Sequence, residues 1–285
     1  MIVVTGATGL LGRLVVAELL DRGVPAQEIV AAVRTTEKAA DLARRGVVVR
    51  EADYDRPETL APAFAGADRL LLVSSSEVGR RAAQHRAVVD AAVRAGVRLF
   101  AYTSVLKADT ATFPLAAEHQ ATEELIRASG LPFALLRNGW YTENYTGNLA
   151  ATLQHGAVLG SAGDGRVAAA TRADFAAAAA AVLVGDGHEN TVYELGGDEP
   201  FTMAELAAEI SRQSGTEVVY RDLPAEEYTK VLVAAGLPEP YAATLAECDL
   251  GIARGELTTD SGDLRRLAGR PTTTLADAVA VALKG

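Results

Sequence analysis

A glycine-rich turn near the start of the chain is the strongest candidate for chemistry. Residues 5–12, Thr-Gly-Ala-Thr-Gly-Leu-Leu-Gly, join a short β-rich run to a segment with apolar residues at helical spacing. In that setting Gly6 permits a tight turn, Gly9 lets the backbone approach a pyrophosphate, and Gly12 allows the helix to pack closely on the strand. The first amides of the helix can then bind phosphate oxygens. The segment therefore predicts a dinucleotide-binding site rather than a glycine-rich turn without a ligand.

Two basic residues follow the second predicted strand, where dinucleotide sites discriminate between cofactors. The strand ends at Arg34, and Lys38 lies about one helical turn further on. An acid at this place binds the ribose hydroxyls of NAD, whereas a guanidinium suits the 2′-phosphate of NADP. Each charge-assisted hydrogen bond of this kind contributes about 1.5–3 kcal/mol. The sequence therefore predicts NADPH rather than NADH, and the alternative for Arg34 is a solvated surface arginine.

Polar segments also follow three other predicted strands. They are Asp53-Tyr54, the run at residues 74–77 (Ser-Ser-Ser-Glu) and the run at residues 102–104 (Tyr-Thr-Ser). Ligands of open parallel sheets bind outside the carboxyl ends of the strands, so these segments are expected to line the same cleft. For each one, an ordinary loop or cap is the alternative.

The elements that position these residues alternate between strand-like and helix-like patterns. The predicted strands of the first half are residues 2–5, 29–34, 47–51, 69–74, 99–103 and 133–137, with amphipathic helices between them. Right-handed crossovers then give the order 3-2-1-4-5-6. The fold class is α/β: a Rossmann-type doubly wound parallel sheet over residues 1–150, followed by a smaller α/β substrate-binding region over residues 151–285. In that second half we expect a helix over residues 140–155 and strands at 191–195 and 218–221.

Composition and charge exclude several classes of protein. The formal net charge is −10, and no basic run is longer than a pair, which argues against nucleic acid as a partner. No apolar run approaches the roughly 20 residues of a membrane span. The four histidines are far apart and have no partner at a metal-ligand spacing, so no metal is expected. The first residues do not resemble a signal peptide, and the single cysteine Cys248 cannot form an intrachain disulfide, so we expect a cytoplasmic protein.

Several segments together resemble the NmrA-like group of atypical short-chain dehydrogenases. They are residues 4–9, 101–104 and 135–141, the last reading Leu-Leu-Arg-Asn-Gly-Trp-Tyr. Within that group the chain is similar to the bacterial NAD(P)H:quinone oxidoreductase type 2 proteins. Residues 74–79 (Ser-Ser-Ser-Glu-Val-Gly) and 171–174 (Thr-Arg-Ala-Asp) fit this subgroup better than they fit the triphenylmethane reductases. The resemblance covers essentially the whole chain.

The resemblance implies an enzyme that passes a hydride from NADPH to a small quinone. The implied cofactor-binding residues are Gly6, Ala7, Thr8, Gly9, Leu10, Leu11, Arg34, Ser75, Ser76, Glu77, Gly139, Trp140, Tyr141, Thr142, Glu143 and Asn144. The nicotinamide would lie near residues 138–141 with the quinone beside it. Asn138 and Tyr141 are therefore the candidate catalytic residues.

The helix after the fifth strand lacks the Tyr-x-x-x-Lys pair of ordinary short-chain dehydrogenases. It carries His119 and Glu123, four residues apart, which are either a proton relay or an exposed helix pair. Hydride reduction of a ketone produces a basic alkoxide that needs an acid nearby. A quinone instead gives a phenolate-like anion with a pKa of about 10, for which a hydrogen-bond donor or water suffices. The absence of the pair is therefore compatible with quinone chemistry.

Two other functions remain open at this point. A non-enzymatic NADP(H)-binding redox sensor of the NmrA type would also lack the Tyr–Lys pair. A reductase or epimerase of another small molecule is the third possibility. Relatives of the isoflavone-reductase type carry a lysine on the helix after the fifth strand, whereas here Lys107 lies in the loop before that helix. The physiological acceptor, the proton donor and the oligomeric state are not predicted.

Overall fold

A seven-stranded parallel sheet organises the computed structural model, which describes residues 1–284. Its order is the third, second, first, fourth, fifth, sixth and ninth strands of the chain. The strands are β1 (Ile2–Thr5), β2 (Ile29–Val33), β3 (Val48–Glu51), β4 (Arg69–Leu72), β5 (Leu99–Val105), β6 (Phe133–Asn138), β7 (Ala157–Gly160), β8 (Arg166–Val167), β9 (Thr191–Leu195), β10 (Phe201–Thr202) and β11 (Val219–Asp222). The predicted α/β class and the predicted order of the first six strands are confirmed.

Helices cover both faces of this sheet and build most of the second half of the chain. They are α1 (Leu10–Asp21), α2 (Ala40–Arg44), α3 (Leu60–Phe64), α4 (Arg81–Ala95), α5 (Pro114–Ala128), α6 (Glu143–Thr146), α7 (Leu149–His155), α8 (Arg172–Val184), α9 (Met203–Ser214), α10 (Ala225–Ala234), α11 (Glu239–Ala253), α12 (Asp263–Ala268) and α13 (Leu275–Ala282). Helices α1 and α8 share the core on one face, and α3 and α4 share the core on the other. None of the helices in residues 1–284 is both long and apolar enough to cross a bilayer.

The sheet uses chain from both sides of residue 150. Strand β9 pairs in parallel with β6, from Ala134 opposite Thr191 to Asn138 opposite Leu195. The alanine-rich helix α8 packs against α1. Residues after 150 therefore contribute a strand to the sheet as well as building the second region, and the division at residue 150 stays a prediction.

The predicted helix over residues 140–155 is wrong in its extent. The chain instead forms α6 and α7, separated by Gly147 and Asn148. Residues 139–142 are not helical, because the amide of Gly139 donates to the carbonyl of Leu195 (2.7 Å) and the amide of Thr142 donates to that of Ala170 (3.0 Å). These long-range hydrogen bonds replace the local ones that a helix would need.

A third core holds the second region together and contains Cys248. Its members include Phe113, Phe201, Leu206 and Ile252. Burial raises the pKa of the Cys248 thiol to about 12, and the nearby charge of Asp249 acts in the same direction. A thiol in this environment is a poor nucleophile because almost none of it is thiolate at neutral pH.

We therefore expect Cys248 to be unreactive in the folded protein. At about pH 8, where a free thiol with a pKa of about 8.5 is partly ionised, the disulfide reagent dithiobis(nitrobenzoate) should label less than a tenth of it. The same sample unfolded in guanidinium should give one equivalent of label per chain. Rapid labelling of the native protein would contradict the burial of this side chain.

Candidate active site

The turn between β1 and α1 offers free backbone amides. Gly6 has a φ of +57°, a conformation that favours glycine, and its carbonyl accepts a hydrogen bond from the amide of Gly9 (2.8 Å). Gly9 caps α1 without any side-chain hydrogen bond, and the first turn of the helix carries no acid. Leu10 is 72% exposed, so this helix end is open to solvent. The amides at the start of α1 are thus available to an anion.

Glycine is required where this turn packs against the helix. A Cβ on Gly12 would overlap the carbonyl of Gly6 and lie 3.0 Å from the Cα of Ala7. A Cβ on Gly9 would lie 3.1 Å from the Gly6 carbonyl oxygen. The side chains of Ala7 and Leu11 are buried in the core beneath the turn. The geometry therefore fits a pyrophosphate cradled by backbone, with Gly12 supporting the close approach of helix and turn.

Polar side chains join the carboxyl ends of the central strands. The hydroxyl of Thr5 accepts a hydrogen bond from the amide of Val73 (3.0 Å), and that of Thr103 accepts one from the amide of Ser74 (2.9 Å). The amide of Glu77 donates to the hydroxyl of Ser75 (3.1 Å). The loop after β4 is therefore fixed to β1 and β5, and it forms one edge of the cleft.

Arg34 lies at the end of β2, where the sequence placed it. Its side chain is 66% exposed, and its Nη1 donates to Oε1 of Glu77 at 2.8 Å. Two residues predicted for the cofactor site, from separate loops, are thus in direct contact. Lys38 is also exposed, but its backbone carbonyl accepts from Arg13 (3.0 Å).

The segment after β6 lies at the same carboxyl edge of the sheet as the loop after β4. A Cβ on Gly139 would lie 2.8 Å from the carbonyl oxygen of Ala168 and 3.1 Å from that of Leu195, so only glycine fits. Trp140 and Tyr141 are half-buried. The ring of Tyr141 packs edge-on against Phe175, with centroids 5.5 Å apart. This segment is therefore held close to the sheet and presents aromatic surface.

Arg172 at the start of α8 fixes the residues that follow this segment. Its guanidinium lies over the Tyr141 ring, 4.4 Å from the centroid, and donates to the side-chain oxygen of Asn144 (3.1 Å). Its backbone amide donates to the carboxylate of Glu143 (2.9 Å). The sequence did not predict Arg172 as a site residue. The Thr-Arg-Ala-Asp segment that contains it supported only the family resemblance, and it was the one local indication of this position.

The two candidate catalytic residues are neighbours. The Oδ1 atom of Asn138 is buried and has no hydrogen-bond partner among residues 1–284. Burial raises the pKa of the Tyr141 hydroxyl, while the Asn138 side chain and the Arg172 charge oppose that rise. The phenol therefore stays protonated at neutral pH and is able to donate a hydrogen bond.

A buried polar network lies beneath the loop after β4. Nε2 of His85 accepts a hydrogen bond from the amide of Ser75 (3.1 Å), so Nδ1 carries the proton toward the hydroxyl of Thr122 (3.0 Å). Nε2 of His119 faces Arg81, which can only donate, and Nδ1 contacts the Tyr102 hydroxyl (2.7 Å). Both imidazoles are therefore neutral in this arrangement.

Burial is the main reason that these histidines do not charge. It lowers the pKa of His85 to about 3, and the Arg81 charge adds to the effect. The same two causes hold the pKa of His119 well below its ordinary value. Arg81 also donates from Nε to the carbonyl of Ser75. Both the amide and the carbonyl of Ser75 are thus held by this network.

The expectation of a relay or an exposed pair on α5 is corrected by this arrangement. His119 and Glu123 are 6% and 3% exposed, so they are not a surface pair. Each has its own partners: Glu123 accepts hydrogen bonds from Arg137 (2.7 Å) and from the hydroxyl of Ser104 (2.6 Å). Within residues 1–284 no hydrogen bond joins the two side chains, so they do not form a relay with each other.

Residues of two other segments expected to line the cleft, Asp53-Tyr54 and 102–104, instead make contacts within the protein. Tyr102 is fully buried in the core, and Asp53 accepts hydrogen bonds within its own turn, from the amide of Asp55 (3.0 Å) and from Arg56. Tyr54 is edge-on to His85, with centroids 6.5 Å apart. In the part of the chain that the structure describes, no three His, Cys, Asp or Glu side chains are grouped as metal ligands.

A protein-family model matches most of the chain. The model of the NmrA-like family matches residues 1–258. The chain belongs to the NmrA-like family. The resemblance inferred from the sequence segments is thereby confirmed.

Individual NmrA-like relatives match along nearly the whole chain. Quinone oxidoreductase 2 of Escherichia coli (strain K12) is 51% identical over 279 residues, which cover 98% of this chain and 97% of that protein. The structure of an NADPH-dependent quinone oxidoreductase from Escherichia coli complexed with NADPH matches with a TM-score of 0.96 at 50% identity, covering 99% of this chain and 100% of that one. The Citrobacter sp. triphenylmethane reductase complexed with NADP(H) has a TM-score of 0.94 at 44% identity, with 99% and 100% covered.

Proposed function

We propose that this NmrA-like protein is an NADPH-dependent quinone reductase. The observation that carries the proposal is the 51% identity to quinone oxidoreductase 2 over 98% of the chain, together with a site that fits the same cofactor. The uncapped start of α1 suits a pyrophosphate, and Arg34 at the end of β2 suits a 2′-phosphate. Gly139 lets the backbone after β6 lie close to the sheet, and the half-buried Trp140 and Tyr141 place aromatic side chains beside the expected position of the nicotinamide and the quinone.

The chain's own residues act mainly by position in the proposed reaction. NADPH, when bound, supplies the hydride. The glycine turn binds the pyrophosphate, the loop after β4 is fixed by Ser75, and the residues after β6 orient the nicotinamide. Tyr141, kept protonated by burial, donates a hydrogen bond toward the oxygen that becomes negative. Because that oxygen is phenolate-like, with a pKa of about 10, water can complete the protonation.

The test is NADPH oxidation with 1,4-benzoquinone and menadione, for the wild type and for Arg34→Ala. We expect quinone-dependent turnover by the wild type and an NADPH affinity roughly tenfold lower in the variant, since one charge-assisted contact contributes about 1.5 kcal/mol at an exposed site. NADH affinity should hardly change. Arg45→Ala, which removes an exposed arginine on the turn after α2, is the matched control and should behave like the wild type.

A second outcome would favour the non-enzymatic alternative. If the protein binds NADPH tightly but oxidises it with neither quinone, a redox sensor becomes the better function. Turnover with dyes or other acceptors, but not with quinones, would instead indicate a different reductase. A cytoplasmic location also belongs to this proposal, supported by the single buried cysteine.

A further inference from the structure

Four charged side chains beside the predicted cofactor site are linked by three consecutive ion pairs. Arg34 Nη1 lies 2.8 Å from Oε1 of Glu77, and Oε2 of the same carboxylate lies 3.0 Å from Nη1 of Arg80. Nη2 of Arg80 in turn lies 2.8 Å from Oδ1 of Asp55. Two positive and two negative groups alternate, so the cluster carries no net charge.

Glu77 is the fixed member of this cluster, and Arg34 is the more exposed one. The Glu77 side chain is 29% exposed, compared with 66% for Arg34. Its Oε2 accepts a further hydrogen bond from Nε2 of Gln84 (3.1 Å), and its backbone amide donates to Ser75 (3.1 Å). Within residues 1–284, the only ion-pair partner of Arg34 is Glu77. An anion that arrives at Arg34 therefore meets a carboxylate that is held in place.

This arrangement opposes a 2′-phosphate and suits a ribose hydroxyl. A phosphate bound to Arg34 lies beside the like charge of Glu77 or must displace it, and either costs affinity. Glu77 follows β4, but its contact with Arg34 brings its carboxylate to the end of β2, where the acid of an NAD site accepts hydrogen bonds from the ribose hydroxyls. Both effects would favour NADH over NADPH.

We propose that Glu77 sets the cofactor preference of this protein by competing with the 2′-phosphate for Arg34 and by accepting the ribose hydroxyls of NADH. This inference rests on the proposed function only for the identity of the cofactor. It predicts a moderate preference for NADPH in the wild type. The preference should become stronger when the charge of residue 77 is removed, because the cluster then carries one net positive charge.

The test measures binding without quinone, by calorimetric titration of NADPH and NADH into wild type, Glu77→Gln and Glu77→Ala. In Glu77→Gln we expect the NADPH dissociation constant to fall about two- to fivefold, the scale of one partly exposed charge pair. The NADH dissociation constant should stay the same or rise, so the ratio of the NADH constant to the NADPH constant increases. The increase should shrink at high salt, because exposed charges are screened.

Glu37→Gln is the matched control, since it removes an exposed acid three residues after Arg34 that forms no ion pair among residues 1–284. Its ratio should equal that of the wild type. An unchanged ratio in both Glu77 variants, with unchanged unfolding midpoints, would overturn the proposal. A weaker NADPH affinity in Glu77→Gln would also overturn it, by showing that Glu77 helps to present Arg34. Absence of quinone turnover would leave these binding results standing.

Discussion

Lowering the pH from about 7 to about 4 is expected to destabilise the protein by about 3 kcal/mol through His85 alone. Burial and the Arg81 charge hold the pKa of His85 at about 3 in the folded protein, whereas the unfolded chain has a value near 6.5. Between these values the unfolded chain binds a proton that the folded protein does not. The contribution is therefore absent above pH 6.5 and grows as the pH falls. His119, with its pKa also lowered by burial, acts in the same direction.

The replacement His85→Gln isolates this effect from the acid titration of carboxylates. A glutamine can accept from the Ser75 amide through its oxygen and donate to the Thr122 hydroxyl through its nitrogen, but it does not titrate. Urea unfolding followed by circular dichroism at several pH values should give a shallower pH dependence for this variant. His155→Gln, at an exposed position, should keep the wild-type slope. Equal slopes for all three proteins would show that His85 is able to charge within the fold.

The fold was predictable where local sequence determines structure. The strand–turn–helix at residues 2–21 and the alternation up to β6 follow from short β-rich runs with amphipathic helices between them, so the sheet order could be inferred. The position of β9 in the sheet could not be inferred, because its sequence predicts a strand but does not show that the strand pairs with β6. The break between α6 and α7 was missed for the same reason: the carbonyls of Leu195 and Ala170, far along the chain, take the amides of residues 139 and 142.

The candidate site likewise contains some residues that the sequence predicts and others that only the structure reveals. Arg34 and the glycine turn are identified by their position after a strand, which sequence shows directly. Arg81 and His85 lie in a polar run at the start of α4 that looks like a solvated helix face. Their burial depends on α5, 30 to 40 residues later, which supplies His119 and Thr122. Polar residues that are buried through distant partners have no local signature, so their role emerges only with the tertiary structure.

Replacing Arg137 by methionine is expected to destabilise the protein by about 3–5 kcal/mol. Arg137 is 4% exposed and donates to both carboxylate oxygens of Glu123 (2.9 and 2.7 Å) and to Glu194 (2.8 Å). Burial acts to lower the pKa of Arg137, but the hydrogen bonds to Glu123 and Glu194 outweigh it, so the guanidinium stays charged. Without it, the buried carboxylate of Glu123 keeps only the Ser104 hydroxyl (2.6 Å) and the longer contact with the half-exposed Arg127 (3.9 Å), which compensate its charge poorly. The unfolding free energy from urea titrations at neutral pH measures the loss.

The double variant Arg137→Met/Glu123→Gln tests whether the uncompensated charge of Glu123 causes the loss of stability. Removing both charges should recover a large part of the stability, because an uncharged pair in the core does not carry the desolvation cost of an isolated carboxylate. Glu18→Gln, at a half-exposed ion pair with Arg22 on α1, should change stability by less than about 1 kcal/mol. Because Arg137 directly precedes Asn138, its single variant should also weaken NADPH binding, and the double variant should restore it in part. Equal losses in the single and double variants would mean that packing of the Arg137 side chain, rather than its charge, holds this part of the site in place.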